Sequence, residues 1–513
     1  MSTVRPAASV LLHRQDGRVF WVRRGEQLRF AGGFYAFPGG RVDLDDAAVP
    51  LVNGGHLGAM DAPIVVAAAR ELFEETGVLA VPGAGRIAPL ERRQVREWLL
   101  GGTTSFAELL ARHDLRVDAS QFLPAGRWVT PHAMPVRFDA HFFLVELPPG
   151  EEAEVWPGEL ADGEWILPRE ALARWESGSA LLHPPAWHSL KSLASVTSAR
   201  EALPLLVDPA RAPWKLPIRE NIVQRIEFQR GVVMVPLRTP TLPPATHTNC
   251  LLLGDDKLWI VDPGSPYPEE QEVLRRTLAT LSSEGRSPVG ILLTHHHHDH
   301  VAGAEVLRDE WRVPIAATQE TAALLAGDGG PHGPSGGLRV DRVLVDGERL
   351  EVGPRGWRCL HLPGHTRGHL CLIENESGAL VAGDLIAGTG TVVIDPPDGD
   401  MKDYLQSLDR LLNGEAGQKP GTIYPAHGPV VPAGLPKIEG YVAHRLEREK
   451  RVIESLLSAK GPATPAELVP AAYAEVDPAL YPLAERSLLA HLIKLVKDGR
   501  ARERDGRYEP LRV

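Results

Sequence analysis

Residues 291–303 read ILLTHHHHDHVAG: a short apolar run, four consecutive histidines, then Asp299 and His300. The run GILLT (290–294) has the length and content of a buried strand, so the histidines begin where a strand ends. In extended backbone alternate side chains point the same way. His295 and His297 can therefore share one ion, while His296 and His298 point elsewhere. Asp299 and His300 open the next turn and can face a second ion. Nitrogen-rich ligation with carboxylate help suits zinc or a similar transition metal.

Two ions need further ligands, and the chain supplies them after later apolar runs. LHLPGHTRGHL carries His365, LVAGDLIAG carries Asp384 and IYPAHGP carries His427, while WIVDPG places Asp262 after an earlier run. Five such elements in this order closely resemble the metallo-β-lactamase superfamily, over about residues 225–435. The resemblance implies an αββα sandwich with a dinuclear site at one sheet edge. It assigns His295, His297 and His365 to one metal, Asp299, His300 and His427 to the other, and Asp384 to a bridging position. It implies hydrolysis of an ester-type bond by a hydroxide shared between the metals, with Asp299 catalytic as well as a ligand. Asp262 then supports the metal loop, and His369 is structural.

Beyond the fifth element, GYVAHRLEREKRVI opens a long amphipathic helix, and ERSLLAHLIKLVKDG (485–499) forms another. The last residues suggest a hairpin around Asp505 and Gly506. Helix, helix and hairpin make a winged-helix-like order. This ending resembles the β-lactamase-like protein 2 branch, which contains both a single-strand endoribonuclease and acyl-carrier-protein thioesterases. The resemblance leaves thioester and phosphodiester open. His444 becomes a candidate for substrate binding.

A second constellation lies far upstream. PIVVAAARELFEETGV (63–78) predicts a packed helix from about Pro63, ended by Gly77, with Glu71, Glu74 and Glu75 on one face. Three like charges disfavour a helix unless something neutralises them. Clustered hard oxygen ligands suit Mg²⁺ or Mn²⁺. Together with FPGG (37–40), the run resembles the Nudix box. That implies Glu74 and Glu75 as main metal ligands, Glu71 as supporting ligand or base, and Arg70 as the residue orienting one of them. Twenty-nine residues separate Gly40 from Arg70, more than the family pattern has. The insertion displaces an early glutamate, for which Asp43, Asp45 or Asp46 could stand in. RGEQLRFAGGFYAFPGG (24–40), TPHAMPVRFDAHFFLVEL (130–147) and HPPAWHSLKSLA (183–194) resemble the coenzyme A diphosphatase branch of that family. Arg24, Arg29, Gly39 and Gly40 then become substrate-binding candidates, the arginines through phosphate oxygens.

The rest of the chain sets bounds. At 513 residues it has room for about three domains. A net charge of −11 gives no global pull towards nucleic acid or anionic lipid, though the tail KLVKDGRARERDGR is locally basic. Three cysteines cannot form a disulfide framework and fit a reducing cytoplasm. The first residues have too short an apolar run for a signal peptide, and no run is long enough to span a membrane. Richness in Ala, Arg, Pro and Gly is that of a GC-rich bacterial genome. Residues 7–24 alternate as a hairpin with its turn at 15–17. Four prolines between Ala199 and Glu220 mark a linker.

The expected organisation is a Nudix α/β/α sandwich at 1–200, a linker at 201–224, a metallo-β-lactamase sandwich at 225–435 and a winged-helix-like domain at 436–513. The expected activity is bifunctional, metal-dependent hydrolysis: a nucleoside diphosphate-linked substrate, coenzyme A or acyl-CoA, in the first half and a thioester in the second. An RNA-directed chain and a non-catalytic Nudix half are the alternatives. No membrane partner is expected, and the oligomeric state is left open.

Overall fold

The computed structural model describes residues 3–511, apart from 29–30, 58–59, 133, 135, 157, 215, 224, 328–336, 354 and 415–416. Arg29 lies outside the described residues. The chain forms two compact units, Met1–Val233 and Met234–Val513.

In the first unit a mixed sheet has the order Tyr35–Ala36, Val19–Arg24, Val4–His13, Arg137–Glu146, Leu123–Val129. Val4–His13 runs parallel to Arg137–Glu146 from Val4↔Arg137 to His13↔Glu146. Its side chains alternate between two cores. Ala8, Val10 and Leu12 join the helices Ala62–Thr76, Pro89–Leu100 and Phe106–Arg112 on one face. Leu11 faces Pro168–Glu176, Pro184–Ala194 and Leu203–Val207 on the other. A strand covered on both faces reads as a nearly continuous apolar run, as this one does.

The expected hairpin is present, but its strands pair only beside the turn, at His13↔Val19. Further along, Gly39–Arg41 lies against Val4–His13 instead, with Ala8 opposite Gly40 and Ser9 opposite Gly39. Val19–Arg24 turns to pair with Leu160–Ile166. The glycine-rich segment thus becomes a strand of the sheet and brings FPGG beneath the acidic helix.

The segment expected as a linker, 201–224, is packed. Ala202, Leu206 and Val223 are buried in the first unit's second core, and the unit runs on to Val233. Its prolines open short helical turns, Leu203–Val207 and Pro209–Arg211, rather than an open tether.

The second unit holds two sheets. One is ordered Val232–Arg238, His247–Leu253, Lys257–Val261, Ser287–Leu292, Ile315–Ala317, Arg342–Val343. The other is ordered Arg349–Leu350, Trp357–His361, Leu370–Glu374, Leu380–Gly383, Ile423–Pro425. Met401–Asn413 covers the second sheet through Met401, Tyr404, Leu408 and Leu411, all buried. Each such side chain contributes about 1.5–3 kcal/mol on burial.

The long helix Gly434–Ser458 serves two cores. Ile438 and Tyr441 join the second sheet's cluster, whereas Val452 and Leu456 join Leu468, Leu488, Leu492 and Tyr508 of the terminal domain. That domain comprises Pro465–Ala472, Tyr481–Lys497 and the hairpin Ala501–Arg504/Arg507–Pro510, whose turn residues Asp505 and Gly506 both have positive φ. Among the described residues no helix is long and apolar enough to cross a membrane.

Candidate active sites

The helix Ala62–Thr76 buries Val65, Val66, Leu72 and Phe73, which presents its acidic face to the Gly39–Arg41 strand. Arg70 is the hub of that face. Its Nε and Nη2 donate to Asp46 Oδ1 and Oδ2 at 2.8 and 3.0 Å. Its Nη1 donates to Glu71 at 2.9 Å and Glu74 at 3.2 Å, and Nη2 also donates to the Arg41 carbonyl at 2.7 Å. Burial works against the guanidinium charge, but the Asp46 hydrogen bonds and the fields of Glu71 and Glu74 outweigh it and hold Arg70 protonated. Of the three aspartates in the insertion, Asp46 is the buried one and the bidentate partner. Asp43 is a weaker neighbour at 3.7 Å.

Glu75 accepts a hydrogen bond from the Gly39 N–H at 2.7 Å. A Cβ on Gly39 would collide with the Ala8 carbonyl oxygen, so only glycine lets the strand approach so closely. Burial pushes Glu71 up to about 7 and Glu75 up to about 8, and raises Glu74 as well. Three carboxylates crowded out of water in this way could hold a hard cation.

They open on a cavity of about 720 Å³. Its polar end has Arg24, Arg41, Glu71, Glu74 and Glu75. Its other wall is apolar, with Trp128, Phe138, Phe142 and Phe228. The Arg24 Nε is buried without a hydrogen-bond partner among the described residues. His183 also lines the cavity, stacked on Phe34 at 4.5 Å, and burial pushes its pKa down to about 4. No motif marks the aromatic wall, because it gathers residues from three separate segments.

In the second unit the histidine tract leaves the strand Ser287–Leu292 and enters the short helix His298–Val301. Ligand-type atoms fall into overlapping groups: His295, His297 and His365; His295, His300 and Asp384; Asp299, His300 and His427. Asp384 lies between them, 3.6 Å from His300 Nε2, 3.7 Å from His365 Nε2 and 3.3 Å from His427 Nε2. All seven residues expected as ligands are therefore together.

Second partners fix three of the rings. His300 Nδ1 donates to Asp262 at 2.8 Å, His365 Nδ1 to the Val393 carbonyl at 2.8 Å and His427 Nδ1 to the His247 carbonyl at 3.0 Å. Asp262, held at φ +50°, also accepts from the Thr294 N–H and hydroxyl. A Cβ on Gly264 would collide with the Asp299 carbonyl, which explains the glycine in DPG. His369 accepts at Nε2 from the Asp384 N–H at 3.0 Å, a structural role.

The remaining ring atoms fit a metal. His295 Nε2, His300 Nε2, His427 Nε2 and Asp384 Oδ1 are buried without a hydrogen-bond partner among the described residues. Burial and neighbouring rings push His295 and His297 well below the usual histidine range, leaving neutral nitrogen lone pairs. Burial also opposes charge on His300 and His427, but Asp384 and its neighbours overcome it, raising His427 to about 10. The carboxylates thus demand positive charge where the imidazoles converge.

His296 is buried and points to Asp398, with Nε2 at 3.8 Å, in a further ligand-type group with His297. His444 is exposed on Gly434–Ser458, and the charges acting on it are those of Arg445, Arg448, Arg451 and Glu475 rather than the ligand carboxylates. Asn249 went unnoticed in the sequence. It donates through Nδ2 to the carbonyls of Pro425 and Gly428 at 3.0 and 2.9 Å, bracketing His427.

Comparison with known proteins agrees with this division. The NUDIX domain family matches residues 3–184, the metallo-beta-lactamase superfamily 243–427 and the beta-lactamase associated winged helix domain 464–508. A beta-lactamase-like protein 2 homolog of Drosophila melanogaster is 31% identical over 266 residues, 51% of this chain and 87% of its own length. An atrochrysone carboxyl ACP thioesterase of Aspergillus novofumigatus is 29% identical, over 49% of this chain and 74% of its own. The crystal structure of a NUDIX hydrolase from Alicyclobacillus acidocaldarius is 31% identical, covering 40% of this chain and 98% of its own, with a TM-score of 0.33.

Proposed function

Because this chain belongs to the β-lactamase-like protein 2 branch of the metallo-β-lactamase superfamily and carries a Nudix hydrolase domain ahead of it, we propose that it hydrolyses coenzyme A-type molecules at two bonds. The first site would cleave the diphosphate of CoA or acyl-CoA. The second would cleave the thioester. Both substrates present the same pantetheine arm.

The two-ended cavity carries this reading. Its carboxylates and Arg24 suit a diphosphate with its counter-ion, and its aromatic wall suits an apolar group on the same molecule. Glu71, Glu74 and Glu75 would hold Mg²⁺ or Mn²⁺, which when bound neutralises charge building on the phosphate oxygens. Arg70, anchored on Asp46, fixes Glu71 and Glu74, while the Gly39 N–H fixes Glu75. Arg24, which lines the same cavity, would donate to a phosphate oxygen.

In the second site His295, His297 and His365 would hold one zinc-like ion, Asp299, His300 and His427 the other, with Asp384 between. When bound, such ions polarise a carbonyl and lower the pKa of a water. The protein's own part is to set the imidazoles. The Val393 and His247 carbonyls and Asp262 each take a ring N–H, so that each Nε2 faces the ions as a lone pair.

A thioester is favoured over RNA by the tail. Lys494, Lys497, Arg500, Arg502 and Arg507 are each paired with a carboxylate: Glu449, Asp400, Glu449, Glu509 and Glu467. A basic stretch neutralised in this way offers few charges to a phosphodiester backbone. A thioesterase among the relatives points the same way. The test is turnover of purified chain on acyl-CoA, CoA, NADH and single-stranded RNA. Release of free thiol from acyl-CoA and diphosphate cleavage of CoA are expected. RNA cleavage without thioester hydrolysis would overturn the assignment.

A further inference from the structure

Residues 392–400 wrap the His365 ligand. The Val393 carbonyl accepts from His365 Nδ1, and the Asp400 N–H donates to the Gly364 carbonyl at 2.8 Å. Gly399 lies so close that a Cβ there would stand 3.1 Å from the His365 carbonyl. Any shift of this segment therefore moves the imidazole.

The same segment is gripped by cations from the C-terminal helices. Arg445 donates to the Val392 carbonyl. Arg486, near the start of Tyr481–Lys497, donates through Nε to Asp395 at 2.7 Å, and Lys497, at its end, pairs with Asp400. Eleven residues of helix separate the two grips, about 16 Å, so one rigid rod holds the segment at two points. A further pair, Lys402 with Asp498 at 3.0 Å, ties the helix that follows the segment to the same rod.

We propose that the winged-helix domain braces the second active site: Arg486 and Lys497 are positioning residues that, through Asp395 and Asp400, hold His365 in its ligand geometry. The inference rests on the reading of His365 as a metal ligand. Arg486 and Lys497 keep 45% and 48% of their side-chain surface exposed, so salt weakens the brace.

The test uses the full chain loaded with zinc and challenged with a chelator, metal release being followed directly. The R486A/K497A variant should release metal about three- to tenfold faster than the unaltered chain, with a smaller difference in high salt. Its kcat for the second reaction should fall more than its KM rises, and first-site turnover should not change. Asp395→Arg should weaken retention alike, and adding Arg486→Asp should recover part of it, which a merely damaged fold would not do. Wild-type retention in R486A/K497A, or no recovery in the charge swap, overturns the brace. Fewer than one zinc per unaltered chain overturns the metal reading itself.

Discussion

The two candidate sites gather their charged side chains by opposite means. In the first, the carboxylates come from one helix within five residues, and the protein sets a counter-charge among them through Arg70, which Asp46 anchors. In the second, the candidate ligands come from four segments spread from His295 to His427, and several ring nitrogens have no hydrogen-bond partner among the described residues. A local site can tolerate an insertion, because the helix carries its own spacing. A dispersed site depends on every segment that sets a strand end, which is why Asn249, Val393 and Asp262 matter there.

The largest expected effect separates the two directly. His297→Ala removes one of the proposed ligands of the second site. Second-site hydrolysis should fall by about 100-fold or more, with first-site turnover unchanged. Retained second-site activity in a steady-state assay would break the dispersed-site account. Glu75→Gln keeps shape but removes charge. It should cost the first reaction about 100-fold and leave the second alone.

Asp46→Ala probes the self-neutralised character of the first site. A buried Arg70 that loses its bidentate partner should lower the stability of the first unit by about 3 kcal/mol, read as an earlier transition in urea. A change below about 0.5 kcal/mol would show that Glu71 and Glu74 suffice to hold the guanidinium.

The smallest effect is on acid stability. His491, buried in the terminal domain with no hydrogen-bond partner at either ring nitrogen among the described residues, is pushed down to about 3 by burial and then by Arg445 and Lys494. Its folded pKa lies below the unfolded value of about 6.5. Its contribution is thus complete above pH 6.5 and is lost as pH falls towards 3, by roughly 2 kcal/mol at pH 5. His491→Leu should flatten that slope in thermal melts. An unchanged slope would place the acid sensitivity elsewhere.

Much of this was legible in the chain. The seven second-site residues could be read because each ligand follows an apolar run in a characteristic order, and strand ends project side chains predictably. The acidic helix was legible for its spacing and its closing glycine. What spacing does not encode was not. The insertion offered three aspartates, and only the turn at Asp43–Asp46 decides that Asp46 points at Arg70. The aromatic wall comes from strands and loops distant in sequence. The proline-dense stretch before residue 224 looked like a tether, yet Leu206 and Val223 carry it into the core. His444 is near the ligand motifs in sequence, but its place on Gly434–Ser458 sets it among Arg448, Arg451 and Glu475.

The central claim is that one chain holds two independent hydrolytic sites. The most direct measurement assays diphosphate cleavage of CoA and thioester hydrolysis of acyl-CoA in the same preparations of the unaltered, Glu75→Gln and His297→Ala chains. Each variant should lose one reaction and keep the other. Loss of both reactions in either variant, or of neither, would contradict it.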